Sequence, residues 1–316
     1  MNQEVSALTR RLVACAAIVL AALLCVGCAV TSAKKTTPGS SRPGTDATTN
    51  ASAIPAAADL TRAEGLAYVS DGQVWRIEGG VARRLTRSAE AKRSLAYSPD
   101  STRLLFLSGD GMTADIMSLA IGSSKPHLVY ATGQGSLIGA VRIDPTKGDV
   151  LYTYYGEPYT FMRRVDAESR KPQLETVGEH PNGDFDFARD GSLVYASFEQ
   201  DPARVIVRHT GAERALALRL SMATEPVFSA DGERLVLSGR SSQTGPSSLW
   251  VVDLASDRAT QLKPTIGLEP ESPAFSPEGT SLAFRSARDG AVWLVSLDGG
   301  KPARLPLKAD TGSVTW

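Results

Sequence analysis

The stretch SPEGTSLAFRSARDGAVWLVSL, Ser276 to Leu297, decides the fold. It opens on a turn, in which Pro277 presets φ for the first corner and Gly279 tolerates positive φ. Leu282, Phe284 and Ser286 then alternate with Ala283 and Arg285, the period of a half-buried strand. A second turn leads to the strand Ala291 to Leu297, with Trp293 at its middle, and a short further strand carries Leu305. Outward from this unit, an apolar residue recurs mid-strand at Trp75, Met117, Met162, Ile206, Trp250 and Trp293, with gaps of 42, 45, 44, 44 and 43 residues. One such unit cannot bury its faces alone. Six of them predict an all-β fold, a six-bladed β-propeller of four-stranded blades.

Two more columns support the repeat. The second strands carry Tyr68, Phe106, Tyr152, Tyr195, Leu237 and Phe284, and the innermost strands carry Tyr97, Ile143, Phe187, Phe228, Phe275 and Trp316. Between them lie Ser98-Pro99-Asp100, Asp144-Pro145-Thr146, Ala188 to Gly191, Ser229 to Gly232 and Ser276 to Gly279, each a hairpin turn. The first unit, Gly65 to Thr86, has no inner strand ahead of it, whereas Ser313 to Trp316 is an inner strand with no blade behind it. The C-terminal strand is therefore expected to complete the first blade, removing an open edge and burying Trp316 in the core. The unit around residues 137–177 fits the repeat least well.

The Ser-Pro-Asp and Ser-Pro-Glu-Gly turns, the Leu282-Ala283-Phe284 strand and Leu249-Trp250-Val251-Val252-Asp253-Leu254 resemble the WD40-like repeat of TolB-type periplasmic propellers over residues 64–316. The resemblance implies partner binding or substrate gating. It is specific for fold and says little about ligand. TolB-type proteins carry an α/β domain ahead of the propeller; in this chain a low-complexity stretch takes that place.

Arg10 and Arg11 followed by the apolar run Leu12 to Gly27 read as a signal peptide, residues 1–27, too short to span a membrane. Cys25-Val26-Gly27-Cys28 resembles the lipobox of bacterial lipoproteins, with Cys25 where Leu is usual. The resemblance implies lipidation at Cys28, with a thioether-linked diacylglycerol and an amide-linked chain such as palmitate; two or more chains suffice for stable anchoring. Residues 28–61, rich in Ala, Thr, Ser, Pro and Gly, are expected to be an unstructured tether, and residues 62–316 the propeller. Loss of Cys15 and Cys25 with the signal leaves Cys28 alone, so neither disulfide nor thiol chemistry supports the fold. With 34 basic and 34 acidic residues, the neutral balance argues against nucleic acid and against electrostatic membrane binding.

Catalytic signals are sparse. A peptidase of the propeller class needs a Gly-x-Ser-x-Gly elbow, and the chain has none. The three histidines, His127, His180 and His209, fall in different blades. Asp184-Phe185-Asp186 with Asp190 is the nearest approach to a metal site, without calcium-loop spacing. More informative is the inner-strand column Ala96, Arg142, Asp186, Val227, Ala274 and Thr315, where Arg142 and Asp186 are expected to pair between neighbouring blades. Asp184, Glu225, Glu269 and Glu271 just before the inner strands, against Lys92 and Arg93, suggest a channel mouth acidic on one side. Tyr154, Tyr155 and Tyr159, beside the core residue Tyr152, form the densest aromatic cluster and a candidate stacking surface.

These readings lead to an exported, lipid-anchored, monomeric and non-catalytic propeller, with no cofactor, that binds an envelope protein or extracellular domain. The alternatives are a glycan- or peptide-sensing module and a calcium-dependent lactonase or lyase.

Overall fold

Turn chemistry sets each blade. At the first Ser-Pro-Asp turn, Ser98 N donates to Arg103 O at 2.9 Å, while Ser98 Oγ donates to Asp100 Oδ1 at 2.6 Å and accepts from Arg103 N at 3.0 Å. The later turns close through glycine: Gly232 N donates to Ser229 O at 2.9 Å and Gly279 N to Ser276 O at 2.8 Å, at φ of 74° and 67°. A Cβ would strain that left-handed conformation.

The computed structural model describes residues 60–316, except 110–112, 134–136, 157–158, 176, 198–201, 203 and 311. The expected signal peptide, Cys28 and nearly all of the tether lie outside the described residues. Numbered in chain order, strands β1 to β24 make six four-stranded antiparallel sheets. The inner strands are β24 (Val314–Thr315), β4 (Lys92–Tyr97), β8 (Ile138–Ile143), β12 (Phe185–Phe187), β16 (Met222–Phe228) and β20 (Pro270–Phe275), taking blades one to six in turn. Each touches its neighbour all the way round, with β20 meeting β24 and β24 meeting β4, so the blades form a ring.

The ring shuts as the strand count requires. Thr315 and Val314 of β24 lie opposite Ala67 and Tyr68 of β1 (Ala67–Ser70). Asp310 reinforces the joint, its N–H donating to Val69 O at 2.7 Å and its Oδ2 accepting from Gly72 N at 2.9 Å. Trp316 differs from expectation. It packs half-buried against the interface between blades six and one, with its indole N–H donating to Glu64 O at 2.8 Å, because it lies beyond the last ladder pair of β24. The 3-10 turn Leu60–Ala63 packs Leu60 and Ala63 on the same interface, just ahead of the first blade.

The core consists of six apolar layers, one between each pair of blades. Between blades one and two, for example, Ala67, Val69 and Val74 meet Leu104, Phe106 and Leu119. The second-strand column faces the preceding blade, and Phe106, Tyr195 and Phe284 are fully buried there. Each such side chain contributes about 1.5–3 kcal/mol, so a core built from these layers needs no disulfide.

Blade three corrects the column read from sequence. In the other five blades the paired residues are those expected, such as Tyr68 with Trp75 and Phe284 with Trp293. In blade three Tyr152 lies opposite Arg163, and Met162 lies opposite Thr153. Successive strand residues point to opposite faces. Tyr152 therefore packs toward blade two, and Met162 toward blade four beside Phe185 and Tyr195. The residue that occupies the column is a cation, and its guanidinium lies 4.5 Å over the Tyr154 ring. A search for apolar residues takes the adjacent methionine instead.

Candidate functional site

Bulges build the channel mouth. Register shifts between Arg93 and Ala96, between Thr224 and Val227, and between Glu271 and Ala274 place extra residues in β4, β16 and β20. Ser94, Glu225 and Ser272 there adopt φ of 51°, 52° and 48°, a strained state for residues with a Cβ. Pro226 and Pro273 follow two of them, and proline has no N–H for the broken ladder to leave unpaired. A bulge re-aims side chains, and these reach across to the next blade. Ser94 Oγ accepts from Val141 N at 3.2 Å. The Asp184 carboxylate accepts from the Glu225 N–H, and the Glu225 carboxylate from the Ser272 N–H.

These side chains surround an axial cavity of about 220 Å3 lined by residues from all six blades. Its charges are segregated. Arg93 and Arg142 come from blades two and three, Asp184 and Glu225 from blades four and five, and blades six and one present uncharged Ser272, Pro273, Gly312 and Val314. Arg142 Nε donates to Asp186 Oδ1 at 3.1 Å, and Asp186 Oδ2 accepts from Phe228 N at 2.9 Å, so Asp186 joins three consecutive blades.

Burial pushes the Glu225 carboxyl up to about 8, with the Asp184 charge adding to the rise and the Ser272 N–H opposing it. Burial also raises Asp184, against the attraction of Arg142. For Asp186, burial outweighs the pull of Arg142 and of the Phe228 N–H, and its carboxyl is raised as well. The Tyr155 hydroxyl is pushed up to about 12 by burial and by Asp184, with Arg93 opposing.

Several residues singled out in the sequence meet here. Arg142, Asp184 and Glu225 line the cavity, and Asp186 binds Arg142. Glu271 stands at the rim, paired with Arg285 Nη1 at 2.6 Å. Glu269 is exposed and is not among the cavity-lining residues, and the Lys92 side chain is buried beside Glu90. On the side expected to be acidic the mouth carries Asp184 and Glu225, and the basic side carries Arg93 with Arg142 in place of Lys92.

The three tyrosines differ in exposure and in partners. Tyr154 stacks on Phe161 at 5.4 Å under the Arg163 guanidinium. The ring of Tyr155 is 44% exposed, yet its hydroxyl lies between Gly139 and Gly183, where a Cβ on either glycine would crowd it. Tyr159, 48% exposed, stacks on His180 at 4.4 Å and 8°, and Phe161 meets His180 edge-on at 4.9 Å. Sequence reasoning missed Phe161, His180 and the role of Arg163. Phe161 and Arg163 were signalled only by proximity to the tyrosine run, and His180 by nothing local.

Two other constellations lack catalytic geometry. Ser192 Oγ lies 2.7 Å from His209 Nδ1, and Asp190 Oδ2 lies 3.5 Å from the same nitrogen. A Ser-His-Asp relay needs serine and aspartate on opposite ring nitrogens. Asp190 also sits in the turn between β12 and β13 (Leu193–Ser197), away from the cavity that Asp184 lines. Among the described residues, no group of three or more His, Cys, Asp or Glu is arranged to hold a metal ion.

The Arg142–Asp186 pair carries a direct test. A double-mutant cycle with Arg142→Met and Asp186→Asn, read by urea denaturation, is expected to give a coupling of about 1–3 kcal/mol. Additivity of the two single effects would show the contact to be energetically idle.

The family pattern described as the TolB beta propeller domain matches residues 157–314. The structure is similar to TolB from Acinetobacter baumannii at 19% identity and a TM-score of 0.67, over 79% of this chain and 66% of that one, just under two thirds of its length. The protein assigned as TolB from Agrobacterium tumefaciens matches at 21% identity and 0.61, over 73% of this chain and 87% of that one. A chain of the nidogen/laminin complex matches at 14% and 0.63, over 79% and 97%. At such identities the likeness to these structures is one of fold.

Proposed function

Since the chain belongs to the TolB beta propeller family, we propose that it is an exported, lipid-anchored and non-catalytic propeller that docks a protein partner at the cell envelope. The observation that carries this reading is a pair of exposed tyrosines on one hairpin, Tyr155 lining the charged mouth and Tyr159 four residues on. Exposed tyrosines around a polar pocket are the usual anchors of protein interfaces. Tyr159 lies on a rigid stack with His180 and Phe161, so little conformational freedom is lost on contact. Among the described residues no helix is long and apolar enough to cross a membrane. Attachment in this reading comes from lipid at Cys28, and the partner is an envelope protein or extracellular domain.

The test is crosslinking in intact cells, comparing the native chain with Cys28→Ala and Tyr159→Ser. An envelope protein recovered with the native chain and lost with Tyr159→Ser supports docking through this hairpin. Equal recovery with both would move docking elsewhere. Membrane fractionation of Cys28→Ala reads the anchor separately, and retention on the membrane would remove the lipid assignment.

A further inference from the structure

Each blade ends in an open edge on the outside of the ring, and five of the six edges are blunted. The outermost strands are β3 (Val81–Arg84), β7 (His127–Ala131), β11 (Pro172–Glu175), β15 (Ala212–Ala215), β19 (Arg258–Gln261) and β23 (Ala303–Lys308). Charged residues and proline on such a strand discourage pairing with another chain. Arg84 serves in β3, Glu175 in β11, Arg214 in β15, Arg258 in β19 and Lys308 in β23. β7 reads His-Leu-Val-Tyr-Ala, without lysine, arginine, carboxylate or proline. Its valine and tyrosine favour the extended state, and Leu128 is 54% exposed.

The one irregularity of β7 fixes a cation at this edge. Pairing with β6 (Ala114–Ala120) shifts register at Val129, between Leu128 opposite Met117 and Tyr130 opposite Ile116. The Val129 carbonyl accepts from Arg170 Nη1 of blade three at 2.7 Å. The other N–H groups of Arg170 have no partner among the described residues. Arg103 lies opposite Ala120, two residues along β6 from Ser118, which is the partner of His127. Arg103 is exposed and its guanidinium forms no ion pair among the described residues. Both arginines line a groove of about 380 Å3 between blades two and three, with β7 along one side. Asp166 lines it as well, but its Oδ1 accepts from the Glu168 and Ser169 N–H groups of its own turn, at 3.1 and 2.6 Å. Two guanidinium groups against one carboxylate favour a partner with negative charge.

An added strand bonds through its main chain and presents alternate side chains to the two faces. Beside β7, one face is the groove of Arg103 and Arg170. The other is the face of Leu128, opposite Met117, on the side of the layer between blades one and two. We propose that β7 is a strand-addition edge. It takes an extended segment of a protein partner in which carboxylates alternate with apolar residues, the carboxylates toward Arg103 and Arg170 and the apolar residues toward Leu128. The proposal rests on the reading of this chain as a protein-docking propeller, but not on Tyr155 or Tyr159, neither of which lines the groove. Peptide binding to the purified chain decides it whether or not a crosslinked partner survives Tyr159→Ser.

The test is calorimetric titration of the full chain with acetyl-Asp-Val-Asp-Val-Asp-Val-amide, its Lys-Val counterpart, and the Asp-Val peptide with an N-methylated backbone. The Asp-Val peptide is expected to bind at least about tenfold more tightly than either control. One control reverses the charge, and the other has no N–H to donate to a ladder. Hydrogen exchange is expected to slow in His127–Ala131 when the Asp-Val peptide is bound. Leu128→Lys, which gives β7 the blunting charge of the other outer strands, and Arg103→Ser are each expected to weaken binding at least about fivefold. The peptide series on the unmodified chain stands even if a variant folds poorly. The proposal is overturned if the Asp-Val peptide releases no heat at millimolar concentration, if either control binds as well, or if protection appears only away from β7. Dimerisation of the chain that Leu128→Lys abolishes, read by sedimentation, would assign the edge to a second copy and overturn it too.

Discussion

Replacing Arg164 with alanine is expected to destabilise the propeller by about 3–5 kcal/mol, the cost of leaving buried charges without their partner. Arg164 lies in β10 (Thr160–Val165) of blade three. Its Nη1 donates to Asp144 Oδ2 at 2.8 Å and Asp149 Oδ2 at 3.1 Å, and its Nε to Glu175 Oε2 at 2.8 Å. All four side chains are 16% exposed or less. Burial alone would raise the Asp144 and Glu175 carboxyls, but Arg164 holds both below the ordinary range, helped by Thr146 for Asp144 and by Arg208 for Glu175. Removing the guanidinium leaves three buried carboxylates facing one another. Arg208 also ties Glu175 to blade four, so the damage extends across an interface. Urea denaturation of Arg164→Ala and Arg164→Lys checks the claim. Lysine should recover less than half of the loss, since one ammonium cannot reproduce a planar fork serving three carboxylates. A loss below about 1 kcal/mol for alanine would reduce the network to an ordinary surface ion pair.

The native chain is expected to be less stable at pH 9 than at pH 6 by about 2–4 kcal/mol, with Glu225→Gln removing most of the difference. The sign follows from burial. The Glu225 carboxyl, raised to about 8 in the folded chain, returns to its ordinary value of 4.5 on unfolding. Between those values the folded state binds more protons than the unfolded one, so stability falls as pH rises. The contribution is complete below about pH 4.5 and is lost through pH 8. Burial raises Asp184 as well, so its contribution has the same sign as that of Glu225. Glutamine keeps the shape and the acceptor for the Ser272 N–H but cannot ionise. Denaturation midpoints measured at both pH values decide the matter. A slope that survives in Glu225→Gln would place the titrating group elsewhere. The Arg164 network acts in the opposite direction, because its depressed carboxyls lose their contribution only as pH falls through their folded values.

The fold was legible because its determinants are local. Ser276-Pro277-Glu278-Gly279 makes its turn wherever it occurs, and the alternation of Leu282 and Phe284 with Ala283 and Arg285 needs no distant partner to be recognised. The unpaired inner strand at Ser313 to Trp316 announced the closure by simple counting. Blade three was read one residue out of step because Arg163 occupies an apolar column by covering a tyrosine ring. Pattern reading scores the charge and cannot see the ring beneath it.

By itself, the sequence determined the number of blades, the hairpin turns, the strand that shuts the ring and the pairing of Arg142 with Asp186, since each follows from a period of about 44 residues and a shared column. Only the tertiary structure decided which charges face the axis. Arg93, Arg142, Asp184 and Glu225 come from four different blades and meet because the ring brings inner strands together. Bulges at Ser94, Glu225 and Ser272 break the two-residue alternation at the mouth, so strand periodicity cannot say where those side chains point. The burial that drives Glu225 and Asp184 upward exists only once six strands have excluded water from the channel.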